Sequence, residues 1–140
     1  MTLIKIFTNG KVIDSTLYKR LQELDFTVFP GCGNEFQHNR EWWVMVAGRK
    51  IVAYCGNIYS DGVCIFIRAW VHKDYRRNGI HRKMILTRLR AARKSCRVAI
   101  TYTTIDNHPS ANNLIRAGFL LYSPQARYAG DQLYFIKKLK

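Results

Sequence analysis

Hydrophobic positions in the middle of the chain follow a strand-like pattern. Residues 42–47, 50–59 and 63–71 are rich in aromatic and β-branched side chains, which favour strands. The turns between them, Gly48-Arg49-Lys50 and Ser60-Asp61-Gly62, are short enough to join antiparallel neighbours. We therefore predict an antiparallel meander over residues 42–71.

Helical spacing replaces this pattern over residues 78–95, where one broad face is apolar and the opposite face is basic. The apolar face carries Ile80, Met84, Ile85, Leu89, Ala91 and Ala92, and the basic face carries Arg82, Lys83, Arg90, Arg93 and Lys94. Arg88 falls within the apolar arc, and we expect its guanidinium to snorkel to solvent.

Shorter patterns predict the remaining elements. We expect strands at 3–8, 97–105, 119–122 and 133–139, a loop at 29–39, and helices at 16–25 and 110–117. Asp14 or Ser15 can cap the first of these helices, and Gly118 can end the second in a left-handed conformation. The predicted fold class is mixed α/β in one domain over residues 1–140. Its central twisted, mostly antiparallel sheet has about six to seven strands, flanked by about three to four helices.

Charge narrows the range of partners. Lys and Arg total 23 against 9 Asp and Glu, giving a formal net charge of +14. Between Arg68 and Arg97 the only acid is Asp74. This excess of positive charge favours polyanionic partners. One interpretation is that nucleic acid binds through the basic helix of residues 82–97. The other is that this basic face is only solvated.

Other compositional features favour a cytoplasmic protein with no membrane partner. No apolar run is long enough to cross a bilayer, and no secretory signal precedes the first strand. The four cysteines show no metal-binding spacing, and we expect reduced, mostly buried thiols. We expect no metal site, and the sequence leaves the oligomeric state open.

The most informative stretch runs Val71-His72-Lys73-Asp74-Tyr75-Arg76-Arg77-Asn78-Gly79-Ile80-His81. A predicted strand ends at Val71, a basic turn follows, and a helix begins near Gly79. The start of a helix exposes unpaired N–H groups and the positive end of its dipole, so it is a natural phosphate site. Gly79 would let the backbone approach a phosphate oxygen closely.

These residues resemble a known family. The pyrophosphate loop of the GNAT superfamily of N-acetyltransferases reads Arg/Gln-x-x-Gly-x-Gly/Ala, and Arg76 to His81 match it at all but the last position. The family often continues with Asn-x-x-Ala/Ser and a helix ending in Gly-Phe, similar to Asn107-His108-Pro109-Ser110 and Gly118-Phe119 here. The resemblance covers residues 42–119 and is poor at the termini.

The resemblance implies a GNAT fold, acetyl-CoA as cofactor, and transfer of its acetyl group to a primary amine of a small molecule or protein. It places Trp70 and Val71 along the pantetheine arm, with Asn107 bonded to it and Ser110 nearby. The pyrophosphate would be wrapped by Arg76, Arg77, Asn78, Gly79, Ile80 and His81. Arg82 or Lys83 is well placed for the 3′-phosphate.

Two departures leave the catalytic groups unknown. His81 replaces a small residue, and Leu114 stands where many relatives carry a tyrosine that protonates the leaving thiolate. Tyr102, Tyr122 or Tyr128 are possible substitutes. Candidate bases are Glu35, Glu41, His72, Asp106 and His108, with His72 expected near the thioester. We expect Cys55 and Cys64 to be buried thiols and not acyl carriers, because no base pairs with either.

Two alternatives stay open. Mom-type enzymes of phages, which modify DNA adenine, are distant relatives with a basic helix and an aromatic strand ending near Trp-Val, compared here with Arg68-Ala69-Trp70-Val71. A net charge of +14 and numerous aromatic residues would suit a nucleic-acid substrate. The other alternative is a basic binding module that has lost catalysis.

Overall fold

In a computed structural model, residues 1–125 and 131–140 are described, and they build one mixed α/β sheet structure. The strands are β1 (Leu3–Thr8), β2 (Lys11–Val12), β3 (Arg40–Ala47), β4 (Lys50–Ser60), β5 (Val63–Val71), β6 (Val98–Thr104), β7 (Leu120–Tyr122) and β8 (Gln132–Lys138). The α-helices are α1 (Ser15–Val28), α2 (Ile80–Ala92) and α3 (His108–Arg116), and a 3₁₀ turn spans Lys73–Tyr75.

The sheet has the strand order β2-β1-β3-β4-β5-β6-β8-β7, and only β5 and β6 pair in parallel. The predicted mixed α/β class and the antiparallel meander β3-β4-β5 are confirmed. Among the described residues the sheet has eight strands, more than predicted, because the two-residue strand β2 pairs back on β1. Two residues carry too short a pattern to be recognised in sequence.

Helices cover the two faces of the sheet unequally. Helix α1 lies on one face, where Leu21 packs with Trp42 and Tyr54. Helix α2 covers the other face, where Met84 packs with Trp43. Because the adjacent residues Trp42 and Trp43 are both buried, on opposite faces, the central strands are covered on both sides.

The helix ends follow the predicted chemistry. Asp14 caps α1, and its Oδ1 accepts a hydrogen bond from the Leu17 N–H at 3.0 Å. Gly118 ends α3 with φ +96°, a left-handed conformation that favours glycine. Phe119 then turns into the core, where it is 1% exposed and packs against Phe66.

The cysteine prediction is confirmed for three of the four residues. Cys55, Cys64 and Cys96 are free and buried, whereas Cys32 is free and exposed. No helix in the described ranges combines the length and apolarity that crossing a bilayer requires.

The prediction that Arg88 snorkels to solvent is wrong. Its side chain is 2% exposed and lies under the sheet, with the guanidinium carbon 4.1 Å from the centre of the Phe66 ring. Its Nε donates to the Met84 carbonyl oxygen at 3.3 Å, and it forms no ion pair within the described residues. Burial lowers the pKa of Arg88. The aromatic face attracts the cation, but without a carboxylate partner part of the cost of desolvating the buried charge remains uncompensated.

This arrangement predicts the effect of replacing Arg88. The free energy of unfolding of Arg88→Met should lie within about 1 kcal/mol of the native value, because the apolar chain fills the space without a charge to desolvate. Arg88→Ala should lose about 2–4 kcal/mol, because it leaves a cavity. Urea denaturation followed by circular dichroism gives both values, with the exposed Arg90→Met as control. If Arg88→Met lost as much as Arg88→Ala, the guanidinium would be a net stabiliser.

Candidate active site

The opening in the sheet lies between β5 and β6. These strands pair only over Val63 to Ile65, opposite Val98 to Ile100, and then separate. Beyond this point β5 still pairs with β4 on its other side as far as Val71. The later part of β5 therefore presents a backbone edge toward the opening.

A bulge at Arg68 lies in this later part of β5. Cys55 of β4 faces Ala69 but Gly56 faces Ile67, so Arg68 is the extra residue, with φ +46°. A positive φ is strained for a non-glycine residue. The bulge bends β5 where it leaves β6.

Helix α1 holds this bulge through its buried Asp25. The Arg68 Nε donates to Asp25 Oδ1 at 3.1 Å, and the Tyr54 hydroxyl donates to the same oxygen at 2.8 Å. Arg68 Nη2 also donates to the Gly33 carbonyl oxygen at 2.9 Å. A partly buried, hydrogen-bonded ion pair thus offsets the strain of the bulge and ties the 29–39 loop to the opening.

The chain between β5 and α2 forms a tight loop. Asn78 Nδ2 donates to the Tyr75 carbonyl at 3.1 Å, and Arg76 Nε donates to the Val71 carbonyl at 2.9 Å. Arg77 and Gly79 have φ values of +66° and +74°. The Asn78 side chain thus braces the loop from within.

Helix α2 begins without a side-chain cap, since its N-cap residue is Gly79. The first helical bond runs from the Lys83 N–H to the Gly79 carbonyl. Apart from its chain neighbours and the backbone of α2, a Cβ on Gly79 would meet no atom within 4 Å, so the space beside this helix start is open. Uncapped N–H groups facing open space form an anion site.

This helix start opens into a cleft of about 730 Å³ between β5, α2 and α3, within the size range of ligand sites. Four arginines line it, and none of its described lining residues is an Asp or Glu. Its walls are Ala69, Trp70, Val71, Tyr75, Arg76, Arg77, Gly79, Ile80, His81, Arg82, Asn107, Pro109, Ser110, Asn112, Asn113 and Arg116. Such a site is matched to a ligand with several negative charges.

The structure brings most of the residues singled out from sequence into this one cleft. They are Trp70, Val71, Arg76, Arg77, Gly79, Ile80, His81, Arg82, Asn107 and Ser110. Asn78 is absent from the walls. The roles of these residues toward a cofactor stay predictions.

Sequence reasoning predicted Ser110 of α3 but missed four other residues of this helix. Asn112, Asn113 and Arg116 line the cleft together with Pro109. Their spacing of three, four and seven residues from Pro109 puts them on one helix face, and this period was the available signal.

His81 joins the two helices that border the cleft. Its Nδ1 lies 3.0 Å from Asn113 Nδ2, and because an amide nitrogen only donates, Nδ1 accepts and the neutral ring carries its proton on Nε2. Burial, with a smaller contribution from Arg88, lowers the pKa of His81 to about 4. The residue that departs from the family pattern is therefore a neutral link between α2 and α3.

Asn107 is both a helix cap and a wall of the cleft. Its Oδ1 accepts from the Ser110 N–H at 3.3 Å, so it caps α3. The side-chain oxygen of Asn107 is occupied by the cap, so the N–H donors of its Nδ2 group are available to a ligand.

Glu41, a candidate base, lies on β3 outside the cleft. Its carboxylate accepts hydrogen bonds from Thr8 at 2.8 Å and from Tyr59, and Lys5 Nζ lies 3.0 Å away. Burial raises the pKa of Glu41, but these hydrogen bonds outweigh it and leave that pKa below its usual value. Glu41 is therefore an ionised carboxylate whose hydrogen-bond partners lie on β1 and β4, away from the cleft walls.

His72, expected near the thioester, follows the end of β5 but is not among the cleft walls. Its Nε2 lies 3.0 Å from Lys50 Nζ, and its Nδ1 lies 3.1 Å from the Asp74 N–H. Among the other candidate bases, Glu35 pairs with Arg40 at 2.8 Å, and Asp106 and His108 are exposed residues beside Asn107. The described cleft therefore contains none of the candidate bases.

The candidate acids in the described residues are also absent from the cleft walls. Tyr122 lies on β7 with its ring 6.4 Å from that of Tyr134, and burial raises its pKa. Tyr102 projects from β6, Leu114 is buried in the core, and Tyr128 lies outside the described residues.

Neither of the two thiols near Arg88 is activated. Burial raises the pKa of Cys55 to about 11 and also raises the pKa of Cys64, in both cases against the smaller opposing effect of Arg88. A protonated, buried thiol is a poor nucleophile, so the sequence prediction of inert thiols fits the structure.

Comparisons with known proteins show the family of the chain. A sequence model of the acetyltransferase (GNAT) family matches residues 10–119. No curated protein sequence matches the chain.

Solved structures share the fold at low sequence identity. Smu.2055 from Streptococcus mutans aligns over 100% of both chains with a TM-score of 0.76 and 17% identity. An acetyltransferase of the GNAT family from Staphylococcus aureus aligns over 99% of this chain and 100% of its own, with a TM-score of 0.69 and 15% identity.

A third similar structure, the Campylobacter jejuni N-acetyltransferase PseH, was solved with acetyl coenzyme A. It covers 90% of this chain and 82% of its own, with a TM-score of 0.60 and 12% identity. Because the family match extends over most of its length, the chain belongs to the GNAT family of acetyltransferases, which use acetyl-CoA.

Proposed function

We propose that this protein transfers the acetyl group of acetyl-CoA to a primary amine and holds the cofactor in the cleft between α2 and α3. The observation that carries the proposal is a cleft with an uncapped helix start, four arginines and no described carboxylate. Acetyl-CoA carries a pyrophosphate and a 3′-phosphate, so the charge of the cleft fits the charge of the cofactor.

The pyrophosphate is assigned to the start of α2. The N–H groups of the first turn face the open space in front of Gly79, and Arg76, Arg77 and Arg82 border it. The fourth arginine, Arg116, borders the cleft from α3 and adds a second cation for the 3′-phosphate beside Arg82.

The pantetheine arm is assigned to the edge of β5 that β6 leaves unpaired. Its two amides can pair with the backbone near Trp70 and Val71, as a further strand would. Asn107, across the cleft, offers its Nδ2 donors. When bound, acetyl-CoA supplies a thioester whose carbonyl carbon an amine can attack.

The acceptor amine is assigned to the face of the sheet opposite α2. Phe135 of β8 belongs to the core under α2 and α3, so its neighbour Tyr134 points to the other face. There the rings of Tyr102, Tyr134 and Tyr122 follow one another at 6.1 and 6.4 Å. Aromatic faces attract ammonium groups, which supports an amine as the acceptor.

None of the candidate bases lies in the described cleft walls, where it could accept a proton from the amine. The only imidazole in the described cleft wall is His81, whose pKa of about 4 makes it a poor base. An amine that reaches the thioester already deprotonated can react by alignment alone. The rate should therefore rise with pH up to the pKa of the acceptor.

Gly79→Asp tests the cofactor assignment. A carboxylate at the helix start should repel the pyrophosphate and lower acetyl-CoA affinity by at least about tenfold, or about 1.4 kcal/mol. Gly48→Asp is the matched control, because Gly48 has φ +63°, faces equally open space and lies in the β3–β4 turn. Calorimetry on both folded variants gives the affinities. Equal affinities would contradict the assignment.

Asn107→Asp separates the two roles of Asn107. The substitution keeps an oxygen to cap α3, so the melting temperature should stay close to native. It removes the amide donors, so acetyl-CoA affinity should fall by about 1–2 kcal/mol. Melting and calorimetry on one sample measure both quantities. An unchanged affinity together with an unchanged melting temperature would show that the residue is only a cap.

The proposed reaction itself is tested by a screen of acceptors with acetyl-CoA and a thiol-reactive dye that detects released CoA. The acceptors are small primary amines, peptides with free lysines or N-termini, and DNA and RNA with exocyclic amines. We expect thiol release with a primary amine, and its loss in Gly79→Asp but not in Gly48→Asp. Release only with nucleic acid would favour base modification, and binding of acetyl-CoA without release on any acceptor would favour a binding module.

A further inference from the structure

A second basic surface lies at the end of the molecule opposite the cleft. We call it the basic end and define it by Arg90, Arg93, Lys94, Arg97, Lys138 and Lys140, all of which are exposed. The C-terminal end of α2 brings the first three, and Arg97 begins the approach to β6. The Leu139 N–H donates to the Arg97 carbonyl at 2.8 Å, and Val98 faces Lys138, so β8 adds its lysines beside Arg97.

The charges of the basic end are not neutralised within the described part of the chain. The ion pairs formed there by Lys and Arg involve Lys5, Arg40 and Arg68, and none involves the basic end. The neighbouring turn contributes one acid, Asp61, whose backbone carbonyl accepts from Arg97 Nη1 at 3.1 Å. Six basic side chains therefore share this part of the described surface with one acidic side chain from the neighbouring turn.

Local stability accounts for only part of this cluster. The C-terminal end of the α2 dipole favours the nearby cations Arg90, Arg93 and Lys94. The mutual repulsion of these like charges opposes this effect. Arg97, Lys138 and Lys140 lie on or beside strands, where no helix dipole stabilises their charges. A ligand with repeated negative charges gives all six a common partner.

Acetyl-CoA in the cleft cannot be that partner. Helix α2 separates the two sites, and 13 residues at 1.5 Å per residue span about 20 Å. The cleft also has its own four arginines. The two surfaces can therefore be changed independently.

We propose that the basic end binds the phosphodiester backbone of a nucleic acid, independently of sequence. Half of its cations are arginines, whose planar guanidinium pairs with phosphate in two hydrogen bonds. None of its six residues is apolar, but two exposed leucines lie at its margin: Leu86 is one helical turn before Arg90, and Leu120 faces Ile136, two residues before Lys138. Binding at a membrane surface needs a broad apolar face beside the cations, and two leucines at the margin do not form one, so the composition favours nucleic acid over lipid.

Fluorescence anisotropy with a labelled 20-base-pair DNA duplex and a labelled 20-nucleotide RNA tests this proposal. If the six cations contact phosphates, affinity should fall by about 10³-fold between 50 and 200 mM salt. Arg93→Glu/Lys94→Glu should weaken binding by at least about tenfold and lower the slope of log K against log salt by about two. Acetyl-CoA affinity, measured by calorimetry on the same samples, should not change.

The control is Lys11→Glu/Lys19→Glu, which changes the net charge equally at exposed lysines of β2 and α1. It should change affinity by less than about threefold. Lys138→Gln/Lys140→Gln is a second variant, near the chain terminus, for the case that the double reversal fails to fold. It should lower the affinity and the slope in the same direction.

Three results would overturn the proposal. They are no binding of the native protein to either probe at 50 mM salt, an equal loss in the Lys11/Lys19 control, or tighter binding to vesicles of phosphatidylserine and phosphatidylcholine than to both probes. Unchanged acetyl-CoA binding in any of these cases would leave the proposed acetyl transfer standing.

Discussion

The separation of β5 from β6 is the constraint on which the rest of the site depends. Three residue pairs join the strands before they separate, and the backbone edge of β5 beyond them needs another partner. The bulge at Arg68 bends β5 at this place, and the ion pair with Asp25 ties the bulge to α1. A gap in a sheet is costly unless a ligand or water satisfies its backbone groups, and this edge of β5 is the place that we propose for an extended, amide-bearing ligand.

Positive charge is concentrated near both ends of helix α2. Its uncapped start adjoins four arginines and faces the cleft, while its end adjoins the exposed cations of the basic end. Between them Arg88 is buried against Phe66. The helix dipole adds positive potential at the first site, and side chains alone supply it at the second. The excess positive charge of the chain is thus divided between two separate surfaces.

Local patterns were sufficient to predict the meander, α2 and the loop before it, because alternation, helical period and turn residues act over short distances. The predicted loop residues other than Asn78 and the predicted Asn107 lie in the walls of one cleft, and their roles toward a cofactor stay predictions. Arg88 was misjudged because the sequence does not show that the sheet covers that part of α2. The hydrogen bonds of Glu41 could not be foreseen from sequence, because its partners Lys5 and Thr8 lie on β1 and its partner Tyr59 lies on β4. Arg116 was missed although its helical spacing from Pro109 was visible.

The central claim is that acetyl-CoA lies between the start of α2 and the free edge of β5. Amide chemical shifts in a ¹⁵N-labelled sample titrated with acetyl-CoA test it most directly, because they report on the N–H groups themselves. The account predicts the largest shifts at Gly79, Ile80, His81 and Arg82 and at Trp70 and Val71, with little change at Arg93 and Lys94. Saturable shifts confined to other parts of the chain, or no shifts at millimolar acetyl-CoA, would contradict it.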